Sequence, residues 1–241
     1  MIALLLNSGL GSRMGDETRL HPKCMTEIAP GETILSWQVK LLERSGVQEA
    51  VVTTGHLHEM LEEYIRSLGS SIRFHFVHNP RYGETNYIYS MYLAREALQG
   101  QDVLSLHGDL VLHPEVMARL TSSPVSAVTV DSTLPLPEKD FKGQLSGGLV
   151  KAVGVNLFGE DCCALQPAYL WKAEDFGRWM TEIEAFVARG EVRCYAENAF
   201  NAASQHIPLH PLEVQGLLCA EIDNQEDREL ISARFAKEIQ A

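Results

Sequence analysis

The sequence predicts an α/β fold: a doubly wound, mostly parallel sheet with a small inserted β-rich lobe. Three observations predict it. An unbroken apolar run at residues 2–6 opens the chain and gives way to a glycine-rich turn. Segments of helical and strand periodicity then alternate as far as residue 106, and beyond Ser123 the pattern breaks into shorter β-rich stretches. Apolar runs of that kind suit strands covered on both faces, and parallel neighbours need crossover helices between them.

Each element follows in order along the chain. Residues 34–42 carry apolar groups near helical spacing and stop at Ser45-Gly46, a helix-ending pair. Residues 50–53 form a second strand, and residues 57–68 a second helix stopped by Gly69. Residues 72–77 alternate as a third strand. A third helix spans Tyr87–Leu98, with Asn86 or Thr85 to cap it. The fourth strand, residues 103–106, runs into His107-Gly108-Asp109. Residues 125–130, 149–158 and 163–170 read as strands. The polar stretch 131–148 between the first two reads as a loop or flap, and residues 174–189 and 227–239 as helices. With no internal repeat and no Ser/Pro linker, residues 1–241 read as one domain, within which residues 123–215 form the lobe.

Charge narrows the partners. Against 32 acidic residues stand 20 Lys and Arg, a formal net charge of -12, which opposes binding to phosphate backbones and anionic lipid surfaces. Nucleic acid and membrane are therefore excluded as expected partners. The opening apolar run has no positive residues ahead of it and is too short for a signal-peptide core or a membrane span, so a cytoplasmic location is expected. The cysteines, Cys24, Cys162, Cys163, Cys194 and Cys219, are odd in number and contain no CxxC. That spacing fits reduced thiols better than a disulfide framework or a zinc site.

The strongest chemical signal lies directly after the first strand, in Asn7-Ser8-Gly9-Leu10-Gly11-Ser12-Arg13, followed at a distance by Pro22-Lys23. Glycines there let successive N–H groups turn toward an anion, and Arg13 and Lys23 add positive charge in an acidic protein. Two familiar motifs fail. A dinucleotide fingerprint needs a third glycine where Met14 stands, and a Walker A loop needs Gly-Lys-Ser/Thr where Gly11 is followed by Ser12-Arg13.

The pattern GxGxR…PK resembles the nucleotidyltransferases that activate sugars and head groups. The resemblance rests on Gly9, Gly11, Arg13, Pro22 and Lys23, on Gly108-Asp109, and on Glu221-Ile222-Asp223. With the Tyr-rich run 87–94 and the short chain, it is most similar to the bacterial choline-phosphate cytidylyltransferases. What it implies is a Mg²⁺-dependent cytidylyltransferase on a nucleotidyltransferase-like Rossmannoid fold. CTP would be coupled to phosphocholine, 2-aminoethylphosphonate or a phosphorylated amino acid, releasing pyrophosphate. An anionic acceptor oxygen needs no general base, so such catalysis is alignment plus charge neutralisation.

By the same resemblance, Arg13 and Lys23 are the catalytic cations. Asn7, Ser8, Gly9, Leu10, Gly11 and Ser12, with Thr85 and Asn86, bind the nucleotide. Asp109 and Asp223 hold Mg²⁺, a hard ion suited to carboxylates and phosphate oxygens. Residues 123–215 then become the acceptor-binding lobe, with Lys139, Lys142, Tyr195 and Glu197 on the acceptor.

Two departures stand out. Asn7-Ser8 replaces the usual Ala-Ala, and the middle region offers lysines rather than the tryptophan of a choline box, which favours an acceptor with its own negative group. Plainer readings remain beside these: Asp109 as a turn former, Asp223 as a helix cap, and Tyr87, Tyr89 and Tyr92 as packing. For Tyr195 and Glu197 the plainer reading is a helix start. His56, His58, His75 and His78 lack the clustered donors of a zinc site. A sugar-1-phosphate nucleotidyltransferase and a non-catalytic nucleotide-binding protein are the alternative functions. A homodimer is compatible with the sequence without being required by it.

Overall fold

The computed structural model describes residues 1–11 and 20–240. Ser12 and Arg13 lie outside the described residues. The centre is a sheet in which β1 (Ile2–Asn7) pairs in parallel with β4 (Glu49–Thr54) on one side and β6 (Val103–His107) on the other. β5 (Arg73–His78) continues the sheet in parallel beyond β4.

Alternation along β1 divides the core into two layers, because successive strand side chains point to opposite faces. Ala3 and Leu5 pack with α1 (Ile34–Arg44), α2 (His58–Ser67) and the carboxyl-terminal helix. Ile2 and Leu4 pack with α3 (Tyr87–Leu98) and with helices from the second half of the chain. Helices thus cover both faces, as a doubly wound sheet requires. The Thr33 hydroxyl accepts from Ser36 N and the Ser36 hydroxyl from Thr33 N, a reciprocal cap on α1 worth about 1 kcal/mol. Asn86 caps α3 with its own side chain.

The second half extends the same sheet with reversed strands. β11 (Cys162–Trp171) lies antiparallel to β6, β8 (Ala127–Asp131) antiparallel to β11, and β12 (His210–Glu213) parallel to β8. The polar stretch expected to be a loop is partly a strand: β9 (Lys142–Ser146) pairs with β10 (Leu149–Gly154) and with the start of β11. Gly147 and Gly148 take φ of 59° and 76° in the two-residue turn between them, the geometry that a tight hairpin demands and that glycine supplies at least cost. Residues 132–141 keep the loop character.

β12 went unread in the sequence, as did β2 (Glu27–Ala29) and β3 (Glu32–Thr33), a short antiparallel pair ahead of α1, and the following elements. α4 (Pro114–Thr121) opens on a proline in its first turn, and α6 (Ala196–Ala203) follows α5 (Ala173–Ala188). β7 (Leu110–Leu112) and β13 (Cys219–Glu221) form a two-stranded antiparallel ladder ahead of α7 (Gln225–Glu238). Among the described residues no helix is long and apolar enough to cross a membrane.

Candidate active site

A cleft of ≈ 460 Å³ opens beyond the carboxyl ends of β1 and β6, where ligands bind on open parallel sheets. Its first wall is the turn Asn7–Gly11, in which Gly11 holds φ of 62°. That conformation is open to glycine and strained for side-chain-bearing residues.

The buried Gln38 side chain fixes the next wall. Its Nε2 donates to the carbonyls of His107 and Leu110, each at 2.8 Å, so α1 grips both ends of the turn that carries Asp109. The short ladder between β7 and β13 then brings in the distant segment. Glu221 pairs with Leu110 and Ile222 N donates to Asp109 O at 3.0 Å, which sets Asp223 beside Asp109.

Both carboxylates meet Lys23. Lys23 stands at the start of a single 3-10 turn, Lys23–Met25, and its Nζ donates to Asp109 Oδ2 at 2.5 Å and Asp223 Oδ1 at 2.6 Å. The partners are separated by 86 and 200 residues along the chain. Burial disfavours the Lys23 ammonium, but the charges of Asp109 and Asp223 outweigh it and raise its pKa above the ordinary value. Burial likewise opposes the Asp109 carboxylate, yet Lys23 and His107 hold its pKa below the usual range. Asn224, not Asp223, caps α7, which leaves the Asp223 carboxylate to the cleft.

Beside this triad His107 Nδ1 lies 3.1 Å from Glu221 Oε1. Burial and the nearby Asp109 charge push the Glu221 carboxyl up, to about 7. Burial works against the charged imidazole, but the bond to Glu221 raises His107 above its ordinary pKa. Neither His107 nor Glu221 had been assigned a role from sequence. The visible signals were a histidine two residues before Asp109 and a glutamate two residues before Asp223.

The residues expected on the nucleotide side are tied into the framework. Ser8 Oγ and Ser90 Oγ are 2.7 Å apart, and Asn79 Nδ2 donates to Ser90 Oγ at 2.9 Å and to Thr85 Oγ1 at 3.0 Å. One buried amide thus links the glycine turn to the 79–86 loop. Asn86 accepts from Tyr87 N with Oδ1 and donates its own N–H to Val192 O at 2.7 Å. Asn7 differs: its Oδ1 lies where a Cβ on Gly108 would stand 1.9 Å away, while its Nδ2 is buried without a partner among the described residues. An unpaired buried donor at the cleft wall is available to a ligand.

Close packing behind the turn yields a test. A Cβ on Gly55 would lie 2.5 Å from Ser8 O and 2.9 Å from Tyr82 Cβ, so Gly55→Ala must displace the backbone of the glycine turn. It is expected to cost about 1–3 kcal/mol of stability and to weaken nucleotide binding. Calorimetry of unfolding and of binding checks both, and an unchanged melting temperature with unchanged affinity would refute the constraint.

The residues expected on the acceptor side divide. Lys139 and Tyr195 line the cleft, together with Phe141 and Tyr87. Phe141 and Tyr195 meet edge to face at 5.0 Å and Tyr87 lies 6.0 Å from Tyr195, so the expected Tyr195 stands in an aromatic wall with two further rings. Lys142 does not reach it. Its side chain is fully buried, donates to Pro137 O at 2.5 Å and Asp140 O at 3.1 Å, and lies 4.4 Å from the Phe158 ring. The ammonium, which also reaches Glu138 O at 3.5 Å, organises its own loop through those carbonyls and that ring face.

Glu197 is also withdrawn from the surface: it is buried, accepting from the hydroxyls of Tyr87 and Tyr169, the latter at 3.0 Å. Burial, followed by the Glu197 charge, raises both tyrosine pKa values well above the ordinary range.

The family model described as the MobA-like NTP transferase domain matches residues 3–141. The chain is 40% identical over 134 residues to the CMP-5'-(3-aminopropyl)phosphonate synthase of Streptomyces rubellomurinus, a match covering 56% of the chain and 21% of that longer relative. It is 25% identical over 235 residues to the 2-aminoethylphosphonate cytidylyltransferase of Lancefieldella rimae, covering 92% of the chain and 88% of the relative. Among solved structures, the CTP:phosphocholine cytidylyltransferase of Streptococcus pneumoniae superposes with a TM-score of 0.78 at 19% identity, over 96% of this chain and 98% of that one. At that identity the likeness is one of fold.

Proposed function

Because the chain belongs to the MobA-like NTP transferase domain family, we propose that it is a cytidylyltransferase that joins CTP to a small phosphorylated or phosphonate head group and releases pyrophosphate. The observation that carries the reading is the meeting of Asp109 and Asp223 on Lys23 Nζ beside the glycine turn. The names of relatives that act on aminoalkylphosphonates support the head-group class.

In this reading the backbone of Gly9–Gly11 cradles the triphosphate, with Arg13 as a further cation. An anionic oxygen of the acceptor attacks the α-phosphorus, and pyrophosphate leaves. Lys23 neutralises charge at the reacting phosphate, a role suited to an ammonium held protonated by two carboxylates. Asn7 offers its unpaired Nδ2 to the nucleotide, and Ser8, Thr85 and Asn86 shape the base side of the cleft. Tyr87, Phe141 and Tyr195 form an apolar face for the alkylamine part of the acceptor, with the Glu197 carboxylate behind Tyr87. Lys139 meets the acceptor's negative group.

Asp109 and Asp223 suit Mg²⁺. Two carboxylates already converge on one cation, and a hard ion takes a few such oxygens with phosphate and water completing its shell. When bound, Mg²⁺ would supply charge neutralisation to the triphosphate. Lys23 remains available to the phosphate once its carboxylates are shared.

A screen of CTP, UTP, GTP and dTTP against phosphocholine, aminoalkylphosphonates, phosphorylated amino acids and sugar 1-phosphates, scored by pyrophosphate release, tests the function. Turnover with CTP and an amine-bearing head group is expected; turnover only with a sugar 1-phosphate would overturn it. Lys139→Ala is expected to raise the KM for the acceptor about tenfold with little change for CTP, the loss of one charge-assisted contact. Equal changes in both constants would dismiss its acceptor role.

A further inference from the structure

Ser8 and Thr85, both expected on the base side, end in hydroxyls, and the buried Asn79 decides where their protons lie. Asn79 is 1% exposed, and its Oδ1 accepts from Arg81 N at 2.9 Å, which fixes the orientation of the amide. Nδ2 therefore faces Ser90 Oγ at 2.9 Å and Thr85 Oγ1 at 3.0 Å. An amide nitrogen only donates, so both hydroxyl oxygens accept.

Ser90 is fully buried, and among the described residues its Oγ has one other partner, Ser8 Oγ at 2.7 Å. Asn79 Nδ2 cannot take a proton, so the Ser90 hydrogen goes to Ser8; the opposite direction would strand it unpaired in the interior. Ser8 Oγ thus accepts from Ser90, and its own hydrogen has no partner among the described residues. Ser8 lines the cleft, so that hydrogen is left for a ligand. Thr85 is the opposite case. Its Oγ1 accepts from Asn79 and donates to Arg81 O at 2.9 Å, which spends its proton. Thr85 also lines the cleft and has only a lone pair to offer there.

One amide therefore gives the wall a polarity, a donor at Ser8 and an acceptor at Thr85. That polarity separates pyrimidines, because cytosine carries a donating amine at carbon 4 where thymine and uracil carry an accepting oxygen. We propose that Asn79 is a positioning residue that determines base specificity. By making both oxygens accept, it turns the Thr85 lone pair to the cytosine amine and the Ser8 hydrogen to an acceptor on the same ring, while a keto base meets Thr85 oxygen against oxygen. The inference rests on the cytidylyltransferase reading for one point, that the cleft takes a nucleotide.

The test is calorimetric binding in Mg²⁺ without any acceptor, so turnover does not enter. The probes are CTP, UTP and the triphosphate of 2-pyrimidinone riboside, in which hydrogen replaces the 4-amine. Wild-type protein is expected to bind CTP at least about tenfold tighter than UTP, and the analogue about tenfold more weakly than CTP, the size of one hydrogen bond. Thr85→Val keeps the shape and removes the lone pair; it should weaken CTP and leave the analogue unchanged, so that the two bind alike. Asn79→Asp still accepts from Arg81 N, but its second oxygen cannot donate. Ser90 then donates to it and Ser8 to Ser90, and the CTP-to-UTP ratio should fall at least about tenfold. A purely structural Asn79 would lower the melting temperature and both affinities together with the ratio intact.

Equal wild-type affinity for CTP and UTP, or an analogue bound as tightly as CTP, would overturn the proposal, and neither measurement depends on a variant that folds. A wild-type ratio in folded Asn79→Asp would remove Asn79 from base selection. Selective CTP binding without pyrophosphate release on any head group would sink the cytidylyltransferase reading and leave this inference standing.

Discussion

Lys23→Ala is expected to lower the rate of nucleotidyl transfer roughly 10²–10³-fold at saturating CTP, the usual loss when a preorganised charge at a reacting centre is removed. Two features of the site make the effect large. Lys23 Nζ is the common partner of Asp109 and Asp223, so its removal leaves two half-buried carboxylates repelling each other. It also stands at the head of the Lys23–Met25 turn, and the nearest lysine along the chain is Lys40. Triphosphate affinity should fall much less, because the backbone of the glycine turn remains. Single-turnover measurement of pyrophosphate release separates rate from affinity, and a rate near that of the wild type would remove Lys23 from the chemistry. Lys23→Arg distinguishes charge from position: it should restore the melting temperature without restoring the full rate, since a guanidinium is broader than an ammonium.

The second large effect is expected from Asp109→Asn. The backbone carbonyl of Asp109, not its carboxylate, receives Ile222 N, and Gln38 grips the flanking residues. The turn should therefore survive the substitution. What disappears is the negative charge that Lys23 and the proposed Mg²⁺ share. The Mg²⁺ concentration for half-maximal rate should rise at least about tenfold. The maximal rate should drop by roughly 10²-fold, because a bound cation contributes several kcal/mol of charge stabilisation to such a reaction. An unchanged Mg²⁺ titration would reduce Asp109 to a turn former.

Both variants probe a convergence that no local pattern announces. The first half of the chain was legible because its signals are local: the apolar run in β1, the helical spacing of α1 and α3, and the glycine turn between strand and cleft. The strand from residue 142 was missed although Gly147-Gly148 is a hairpin signal, because the polar residues around it masked the alternation. Lys142 was assigned to the acceptor on charge alone. Its burial among the carbonyls of residues 137–140 depends on that hairpin closing against β11, a long-range event. Phe141 and Tyr195, 54 positions apart (195 − 141), became one wall through the same packing.

What the sequence determined by itself is the class of fold and the kind of chemistry at its front edge. Period, turn residues and scarce cations in an acidic chain are properties of neighbours along the backbone, and they survive without knowledge of any partner. Tertiary structure decided which charges meet. Asp109 and Asp223 share the Lys23 ammonium through the ladder of β7 on β13 and the grip of Gln38. His107 gained Glu221 from the same ladder. The reason is physical: the interaction of charges depends on distance and on exclusion of water, and both are set only when segments remote in sequence pack together.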